Sequence, residues 1–217
     1  MSDVITSNVG HVGIVEINRP PDNYFDKELI GAIAEAFDGF VQDGLRAILL
    51  CAAGKNFCAG ANFTTREPGD TVGTRRDRGT DHLYRQAVRL FRCPVPIIAA
   101  VQGAAVGGGL GLAMVADFRV ASPQSRFTAN FNRLGFHPGF GLTVTLPRAI
   151  GEQQAALLFY TGRRISGDVA HAIGLADAVA AATEHELAEQ QRLIATEDFR
   201  EGVRAMAERR LPVFPGR

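Results

Sequence analysis

The chain has 217 residues, which is enough for one domain with a substantial core, with or without an appendage. Its 23 basic and 23 acidic residues balance, so charge gives no reason to expect nucleic acid or a membrane surface as a partner. No apolar run reaches the roughly 18 residues of a membrane span, and no signal peptide is visible. The cysteines Cys51, Cys58 and Cys93 are odd in number and lack metal-ligand spacing, which predicts reduced thiols in a cytoplasmic protein.

The first elements predict alternating strands and helices. Val12–Ile17 alternates as a strand does and stops at the turn Asn18-Arg19-Pro20-Pro21. Asp26 can cap a helix, because apolar residues recur after it at helical spacing to about Val41. Residues 46–51 then form a continuous apolar run, typical of a strand covered on both faces. Strand, helix and strand in this order are the unit of an α/β fold.

A small-residue turn at residues 54–63 follows that strand. The next segment, 64–80, is polar, charged and rich in glycine, and loops of this length are often functional, so we expect a surface loop or lid. Asp81 can cap a further helix over residues 83–91. The prolines after Cys93 end it.

The most informative stretch is 96–117. A short apolar run and a cluster of small residues lead to three consecutive glycines, 107–109, and then to apolar residues at helical spacing. Glycines between a strand and a helix start let the backbone approach a ligand and leave unpaired N–H groups directed at it. The stretch lacks the spaced glycines of a dinucleotide site and the Lys-Ser/Thr of a P-loop. It therefore predicts an anion or oxyanion held by backbone amides.

The second half predicts short elements between glycine-rich segments. Phe118–Ala121 is a strand candidate, and 127–141 has no regular period. Further helices are predicted over 143–150, 153–160, 170–173, 184–195 and 201–210.

These residues together resemble the crotonase superfamily, the enoyl-CoA hydratase/isomerase family. Eight blocks carry the resemblance in family order: Asn18-Arg19-Pro20-Pro21, Lys55-Asn56-Phe57-Cys58-Ala59-Gly60-Ala61-Asn62, Gln102-Gly103-Ala104-Ala105-Val106-Gly107-Gly108-Gly109, Gly135-Phe136-His137-Pro138-Gly139, Leu146-Pro147-Arg148-Ala149-Ile150-Gly151, Thr161-Gly162-Arg163-Arg164-Ile165-Ser166, Gly174-Leu175-Ala176-Asp177 and Thr196-Glu197-Asp198-Phe199-Arg200-Glu201-Gly202. The resemblance implies an α/β fold, a superhelix of ββα units, over residues 1–179. The interval between Asp177 and Thr196 is too short for the helices that the family usually has there, so 180–217 is expected to be a shortened C-terminal helical region.

The resemblance also implies a mechanism. Two backbone N–H groups of the family hold the thioester oxygen as it becomes an enolate or a tetrahedral oxyanion, and the matching residues are Ala61 and Gly108. Gly108 is predicted at a helix start, where amide donors are unpaired and the helix dipole favours negative charge. By residues alone, glycines 107–109 could instead serve only close packing of helix and strand.

The side chains depart from the family pattern. Hydratases of the family use two glutamates to activate and deliver water, and the matching positions are Gly111 and Phe131. Neither residue can transfer a proton, so ordinary two-glutamate hydration is not expected. Gly139 matches the nucleophilic aspartate of the dehalogenase-like branch, which argues against that chemistry.

Two histidines are candidate replacements. His137 is the candidate general acid or base, although a histidine before Pro-Gly could equally shape a turn. His82 matches a functional histidine of dehalogenase-like members, or it caps a helix or lies in solvent. Other polar side chains have ordinary expected roles: Glu67, Asp70, Asp77 and Asp81 as solvated charges, Asp117 as a structural acceptor, and His11, His171 and His185 at the surface or satisfied in the core.

Coenzyme A is expected as part of the substrate, across the Asn-Arg-Pro and Ala-Gly-Ala turns. The substrate-binding positions implied are Tyr24, Lys55, Ala59, Gly60, Asn62, Gly107, Gly111 and Phe131. Lys55, Arg19 or an arginine of the 64–80 loop could meet the phosphates. Asn62 stands near the pocket mouth, where the family often has aspartate.

The expected function is that of a cytoplasmic acyl-CoA enzyme that stabilises an enolate or oxyanion without a metal or redox cofactor. Alternatives are an acyl-CoA hydrolase, C–C lyase or decarboxylase that uses His137, or a non-catalytic CoA-binding subunit. The resemblance implies a homo-oligomer, a trimer or hexamer, although the shortened C-terminal region removes part of the usual interface.

Overall fold

The computed structural model describes residues 2–61, 83–180, 196–208 and 210–214. The chain divides into two compact units, Met1–Val179 and Ala180–Arg217. Several residues singled out by the sequence lie outside the described ranges: Asn62, the loop 64–80, Asp81, His82 and the helix 184–195 with His185.

The first unit alternates strands and helices. Its strands are β1 (Val4–Val9), β2 (Val12–Ile17), β3 (Ala47–Ala52), β4 (Ile97–Val101), β5 (Ala104–Val106), β6 (Phe118–Ala121), β7 (Arg126–Thr128), β8 (Arg164–Ser166) and β9 (Ala178–Val179). Its helices are α1 (Lys27–Gln42), α2 (Leu83–Phe91), α3 (Gly108–Ala113), α4 (Leu142–Thr161) and α5 (Gly167–Ala172), with a 3-10 helix at Asn130–Leu134.

A six-stranded sheet with the order β1-β2-β3-β4-β6-β9 forms the centre of this unit. β1 pairs antiparallel with β2, and the other neighbours are parallel. A smaller sheet has the order β5-β7-β8, with β5 parallel to β7. β5 leads directly into α3, so this second sheet places the start of that helix.

Helix α1 shows how the sequence sets an element. The Asp26 side chain accepts a hydrogen bond from the Leu29 N–H at 2.8 Å, the N-cap geometry expected before Lys27. Leu29, Ile30 and Ile33 are fully buried in the core, because the apolar residues share one face of the helix.

The predicted α/β fold is confirmed, with differences in the short elements. β2 and β6 have the predicted bounds, and α4 is broken at Gly151 (φ 79°, ψ 158°), between the two predicted helical segments. β1 was not predicted, because most of its residues are exposed and it has no hydrophobic alternation. Part of the segment 127–141, predicted as irregular, is ordered as β7 and the 3-10 helix.

The second unit contains α6 (Glu197–Ala207). The Phe199 N–H donates to Thr196 Oγ1 at 3.2 Å, so the helix starts before the predicted residue 201. Arg210 Nη1 lies 2.6 Å from Glu201 Oε1, and this hydrogen bond lowers the pKa of Glu201 to about 2. None of the helices in the described ranges is long and apolar enough to cross a membrane.

Candidate active site

Two turns of the first unit are joined by a buried network of amide side chains. Asn23 is fully buried, and its Nδ2 donates to the carbonyls of Ala53 (2.8 Å) and Asn56 (2.7 Å). Its Oδ1 accepts from the Arg19 N–H at 2.8 Å. Asn56 extends the network, because its Oδ1 accepts from the Ala104 N–H at 3.0 Å. The turn that follows β2, the turn that follows β3 and the start of β5 are therefore held together by side-chain hydrogen bonds.

Backbone hydrogen bonds continue this join toward Ala61. The Ala59 N–H donates to the Asp22 carbonyl and the Phe25 N–H to the Gly60 carbonyl, both at 2.9 Å. On the other side, the Val106 N–H donates to the Cys58 carbonyl at 3.0 Å. Residues 58–61 thus lie between the turn after β2 and strand β5 and are bonded to both.

Helix α3 begins beside this segment because glycines leave it room. Gly107 has φ 55°, which favours glycine, and its N–H donates to the Thr128 carbonyl at 2.8 Å. A Cβ on Gly109 would overlap the Cys58 carbonyl, and one on Gly108 would overlap the Phe25 ring. Close packing is therefore one role of these glycines, as the packing alternative predicted, and it does not exclude a second role for their amides.

Two backbone amides at this junction have no backbone acceptor among the described residues. In the part of the chain that the structure describes, neither the Ala61 N–H nor the Gly108 N–H donates to a backbone carbonyl. Gly108 is the first residue of α3, so its N–H precedes the intrahelical bonds. Both residues line one cavity of about 270 Å³. Each could donate to an oxygen atom of a ligand there.

The residues that line the cavity fall into two chemically different groups, which we call the amide wall and the aromatic wall. The amide wall consists of Ala59, Gly60, Ala61, Val106, Gly107 and Gly108. The aromatic wall consists of Phe25, Tyr84, Phe131, Phe136 and Phe140. Phe25 packs edge-to-face on Phe140 with ring centroids 5.5 Å apart, and Phe131 packs on Phe136 at 5.6 Å. An apolar wall with a few convergent donors is typical of a small-molecule site.

The polar side chains of the described lining are Tyr24, Tyr84 and Asn130. Neither a carboxylate nor an imidazole is among the described residues that line the cavity. Burial raises the pKa of Tyr84, and the Phe140 N–H bonded to its hydroxyl opposes that change only in part. Sequence reasoning missed Tyr84 and Asn130, since neither belongs to a recognisable motif. The helical spacing that predicted α2 was the one available signal for Tyr84.

The structure brings most of the predicted site residues together. Tyr24, Ala59, Gly60, Ala61, Gly107, Gly108 and Phe131 all line the cavity. Lys55 lies outside its lining and is exposed on the turn that leads to Ala59. Arg19 is bonded to two acids, with Nη1 2.6 Å from Asp26 Oδ2 and Nη2 2.7 Å from Asp3 Oδ2.

The two positions that match the hydratase glutamates have different surroundings. Phe131 is 7% exposed and forms part of the aromatic wall. Gly111 is buried and does not line the cavity; a Cβ there would stand 2.5 Å from Phe140 Cβ and 2.9 Å from the Phe140 carbonyl oxygen. Phe140 therefore occupies the space that a side chain at position 111 would enter.

None of the histidines among the described residues is part of the cavity lining. His137 is exposed, and its Nδ1 lies 2.7 Å from the Pro138 carbonyl oxygen. His11 and His171 are also exposed. Asp117 is a structural acceptor as predicted, since its Oδ2 accepts from the Ile97 N–H at 2.8 Å.

The cysteines are poor nucleophiles in this fold. They are free thiols, as predicted. Burial raises the pKa of Cys58 to about 12 and, with help from the charge of Glu16, that of Cys51 to about 11. Because the thiolate is the reactive form, neither side chain is suited to covalent chemistry near neutral pH.

The chain is similar in sequence and in fold to known proteins. A family model described as enoyl-CoA hydratase/isomerase matches residues 8–195. The chain is 38% identical over 188 residues to a protein named "Probable enoyl-CoA hydratase" from Mycobacterium tuberculosis, covering 83% of this chain and 73% of that protein. It is 35% identical over 181 residues to the 1,2-epoxyphenylacetyl-CoA isomerase of Escherichia coli, covering 81% and 69%. A crystal structure of a probable enoyl-CoA hydratase/isomerase from Mycobacterium abscessus superposes with a TM-score of 0.73 at 28% identity, covering 99% of both chains.

Proposed function

This chain belongs to the enoyl-CoA hydratase/isomerase family, and we propose that it acts on an acyl-CoA thioester whose oxygen the Ala61 and Gly108 amides stabilise. One observation carries the proposal: both N–H groups lack an internal backbone acceptor among the described residues, and both belong to the wall of the same cavity. Donors fixed in advance of the reaction lower a barrier by about 3 kcal/mol each where negative charge develops.

The rest of the cavity supports a thioester with an apolar acyl group. The rings of the aromatic wall would contact the acyl part, and Tyr24, which lines the cavity with residues 59–61, would contact the CoA part. Lys55 is exposed and pairs with no acid in the described ranges, so it is available to a phosphate. Coenzyme A enters as part of the substrate, and no other cofactor is needed for oxyanion stabilisation. Self-association, as a trimer or hexamer, is proposed from the family alone.

The reaction differs from two-glutamate hydration. Gly111 and Phe131 stand where the resemblance places the glutamates, and Phe140 closes the space beside Gly111. Purified protein is therefore expected to hydrate crotonyl-CoA far more slowly than ordinary hydratases. Turnover of crotonyl-CoA at an ordinary hydratase rate would show that a proton-transferring group has been overlooked.

Replacing single amides by esters tests the donors directly. Lactic acid at position 61 or glycolic acid at position 108 removes one N–H and leaves the side chains unchanged. The ligand is 4-(dimethylamino)cinnamoyl-CoA, whose absorption moves to longer wavelength when its thioester carbonyl is polarised. We expect binding with a red shift in the unmodified protein, a smaller shift in each ester variant, and the smallest when both are replaced.

Lactic acid at position 59 is the matched control. It removes a structural hydrogen bond of the same wall, from the Ala59 N–H to the Asp22 carbonyl, and spares both proposed donors. A full red shift in the 61 and 108 variants would refute the donor assignment. Binding without turnover in hydratase, isomerase, hydrolase and decarboxylase assays would point instead to a CoA-binding subunit.

A further inference from the structure

Asn130 brings a side-chain amide group to the cavity. It is the first residue of the 3-10 helix Asn130–Leu134 and lines the cavity beside the apolar residues Val106, Phe131 and Leu134. The residue is half-buried, as expected for a group that meets both the protein and the cavity. It belongs to neither the amide wall nor the aromatic wall.

The Asn130 side chain differs from the other asparagine side chains in its bonding. Within the ranges that the structure describes, it makes no hydrogen bond to the protein. Every other asparagine of those ranges has at least one side-chain hydrogen bond: Asn8, Asn18, Asn23, Asn56 and Asn132. The amide of Asn130 is therefore not used to shape its turn and is available to a ligand in the cavity.

The smaller sheet places Asn130 beside the proposed donor Gly108. β5 and β7 run parallel with Val106 opposite Thr128, and the Gly107 N–H donates to the Thr128 carbonyl at 2.8 Å. Gly108 and Asn130 each follow the paired residue by two positions. Asn130 Oδ1 lies 3.4 Å from the place that a Cβ on Gly107 would occupy. The side chain thus lies against the residue that directly precedes the donor.

Hydrogen bonds on both sides of Asn130 fix its backbone. Before it, Thr128 Oγ1 donates to the Gly162 carbonyl at 3.2 Å. After it, Asn132 Nδ2 donates to the Tyr160 carbonyl at 2.7 Å. Both acceptors lie at the end of α4, so the start of the 3-10 helix is tied to that helix end. A polar group held in place before the ligand arrives costs less ordering entropy on binding.

The chemistry of an amide indicates what it would bind. The side chain of asparagine offers an acceptor oxygen and a donor NH₂ group, and a hydroxyl group can bond to either. A thioester held at Gly108 would bring the first carbons beyond its carbonyl close to Asn130, whereas the end of a longer chain would lie further away. An unsubstituted chain would displace water from the amide without replacing its hydrogen bond, which is unfavourable.

We propose that the Asn130 amide binds a hydroxyl group on the second or third carbon of the acyl group, so that the site prefers acyl-CoA thioesters hydroxylated next to the thioester. This rests on the proposed function, in which the thioester occupies the cavity.

The test compares hexanoyl-CoA with its 2-hydroxy, 3-hydroxy and 6-hydroxy derivatives by calorimetry, with the enantiomers of the first two measured separately. We expect the wild-type protein to bind a 2-hydroxy or 3-hydroxy ligand about 3- to 10-fold more tightly than hexanoyl-CoA, the range for one neutral hydrogen bond. The 6-hydroxy ligand should show no gain, because its hydroxyl group is far from the thioester.

Asn130→Leu replaces the amide with methyl groups of similar volume. The ratio of affinities should fall to about 1, because the hydrogen bond is lost. Hexanoyl-CoA itself should bind more tightly to Asn130→Leu than to the wild type, because no polar group is then covered by the chain. A purely structural role of Asn130 would not produce this gain. Asn130→Ala should also lose the preference.

Asn132→Ala is the matched control. It removes an amide from the same 3-10 helix, but Asn132 is exposed and does not line the cavity. The loss of its hydrogen bond to the Tyr160 carbonyl should lower stability and leave the ratio of affinities unchanged.

The possible outcomes separate the two proposals. If none of these ligands binds, the proposed function fails. The role of Asn130 is refuted, and the proposed function stands, if the ligands bind without a preference for the 2-hydroxy or 3-hydroxy form, if the 6-hydroxy form gains as much, or if Asn130→Leu keeps the preference. Thermal unfolding of each variant identifies a folding defect, and Asn130→Ala decides the matter where Asn130→Leu does not fold.

Discussion

The amide wall and the aromatic wall differ in which part of each residue can serve the ligand. Alanine and glycine in the amide wall offer little besides backbone, and buried hydrogen bonds of Asn23 and Asn56 hold that backbone in place. In the aromatic wall the side chains themselves form the surface, and they hold one another by ring packing. The amide wall therefore suits chemistry common to all thioesters, and the aromatic wall suits the choice of acyl group. Substitutions should separate these roles.

The largest effect is expected where the amide wall is anchored. Asn23→Ala removes three hydrogen bonds, one of them buried and two part-buried, and leaves alanine at φ 50°, so we expect a loss of about 3 to 5 kcal/mol in the free energy of unfolding. Urea unfolding measures it. Asn8→Ala is the control, because Asn8 is exposed and makes only a 3.5 Å bond to the Gly10 carbonyl. A loss below about 1 kcal/mol would mean that the network does not anchor the wall.

The next effect concerns the contact between α3 and Phe140. Gly111→Ala places a methyl group 2.5 Å from Phe140 Cβ, and we expect it to destabilise the protein by about 1 to 3 kcal/mol through overpacking. Gly39→Ala, inside α1, is the matched control, because nothing lies within 4 Å of the added methyl group. It should stabilise by about 0.5 to 1 kcal/mol. Thermal or urea unfolding measures both changes. If Gly111→Ala and Gly39→Ala changed the free energy of unfolding in the same direction, overlap of position 111 with Phe140 would be contradicted.

A smaller, pH-dependent effect should follow a carboxylate in the aromatic wall. Phe131→Glu buries a carboxyl group among rings, which raises its pKa in the folded state above the unfolded value. The stability of Phe131→Glu relative to Phe131→Gln should then be highest below the unfolded pKa and fall as the pH rises through the folded pKa. A folded-state pKa one pH unit above the unfolded value corresponds to a loss of about 1.4 kcal/mol. Urea unfolding between acidic and neutral pH measures the difference, and a flat profile would show that the carboxyl reaches water.

The smallest effect is expected at His137. Its ring is exposed and outside the cavity lining, so His137→Gln should change acyl-CoA binding and turnover by less than about twofold. A fall of about 100-fold or more in turnover, with affinity retained, would instead support the role in proton transfer that the sequence suggested. Lys55→Ala is a useful comparison, since we expect it to weaken binding of the CoA part without changing turnover.

Much of the amide wall could be predicted from sequence, because backbone sites depend on a few small residues. The glycines 107–109 after a short strand indicated unpaired amides, and the structure begins α3 at Gly108. The capping role of Asp26 could also be predicted, because an N-cap involves only one side chain and the first turn of the helix that follows it. Such features depend on residues that are close in sequence, and such local patterns can be recognised in a single sequence.

The aromatic wall could not be predicted in this way. Tyr84 and Gly139 are far apart in sequence, and only the packing of α2 against the segment before α4 brings them together. Several strands could not be predicted either, because a strand that is short or exposed shows no two-residue alternation of apolar side chains. They are the exposed edge strand β1 and the three-residue strands β5, β7 and β8. The sequence shows that position 111 lacks the glutamate of the hydratases. Only the fold shows that a side chain there would overlap Phe140.

An isolated β-bridge joins the backbones of Cys58 and Ala105, close to the two proposed donors. These residues pair in parallel, and Ala61 and Gly108 each follow the paired residue by three positions. The segments that lead to the two donors are thus paired as neighbouring strands are, about 4.8 Å apart, three residues before each donor. Side-chain substitutions leave this backbone pairing unchanged. One residue inserted between the paired residue and the donor in either segment would shift that donor along its chain by about 3.3 Å. Substitutions in the aromatic wall are therefore expected to leave the backbone pairing that precedes the two proposed donors unchanged.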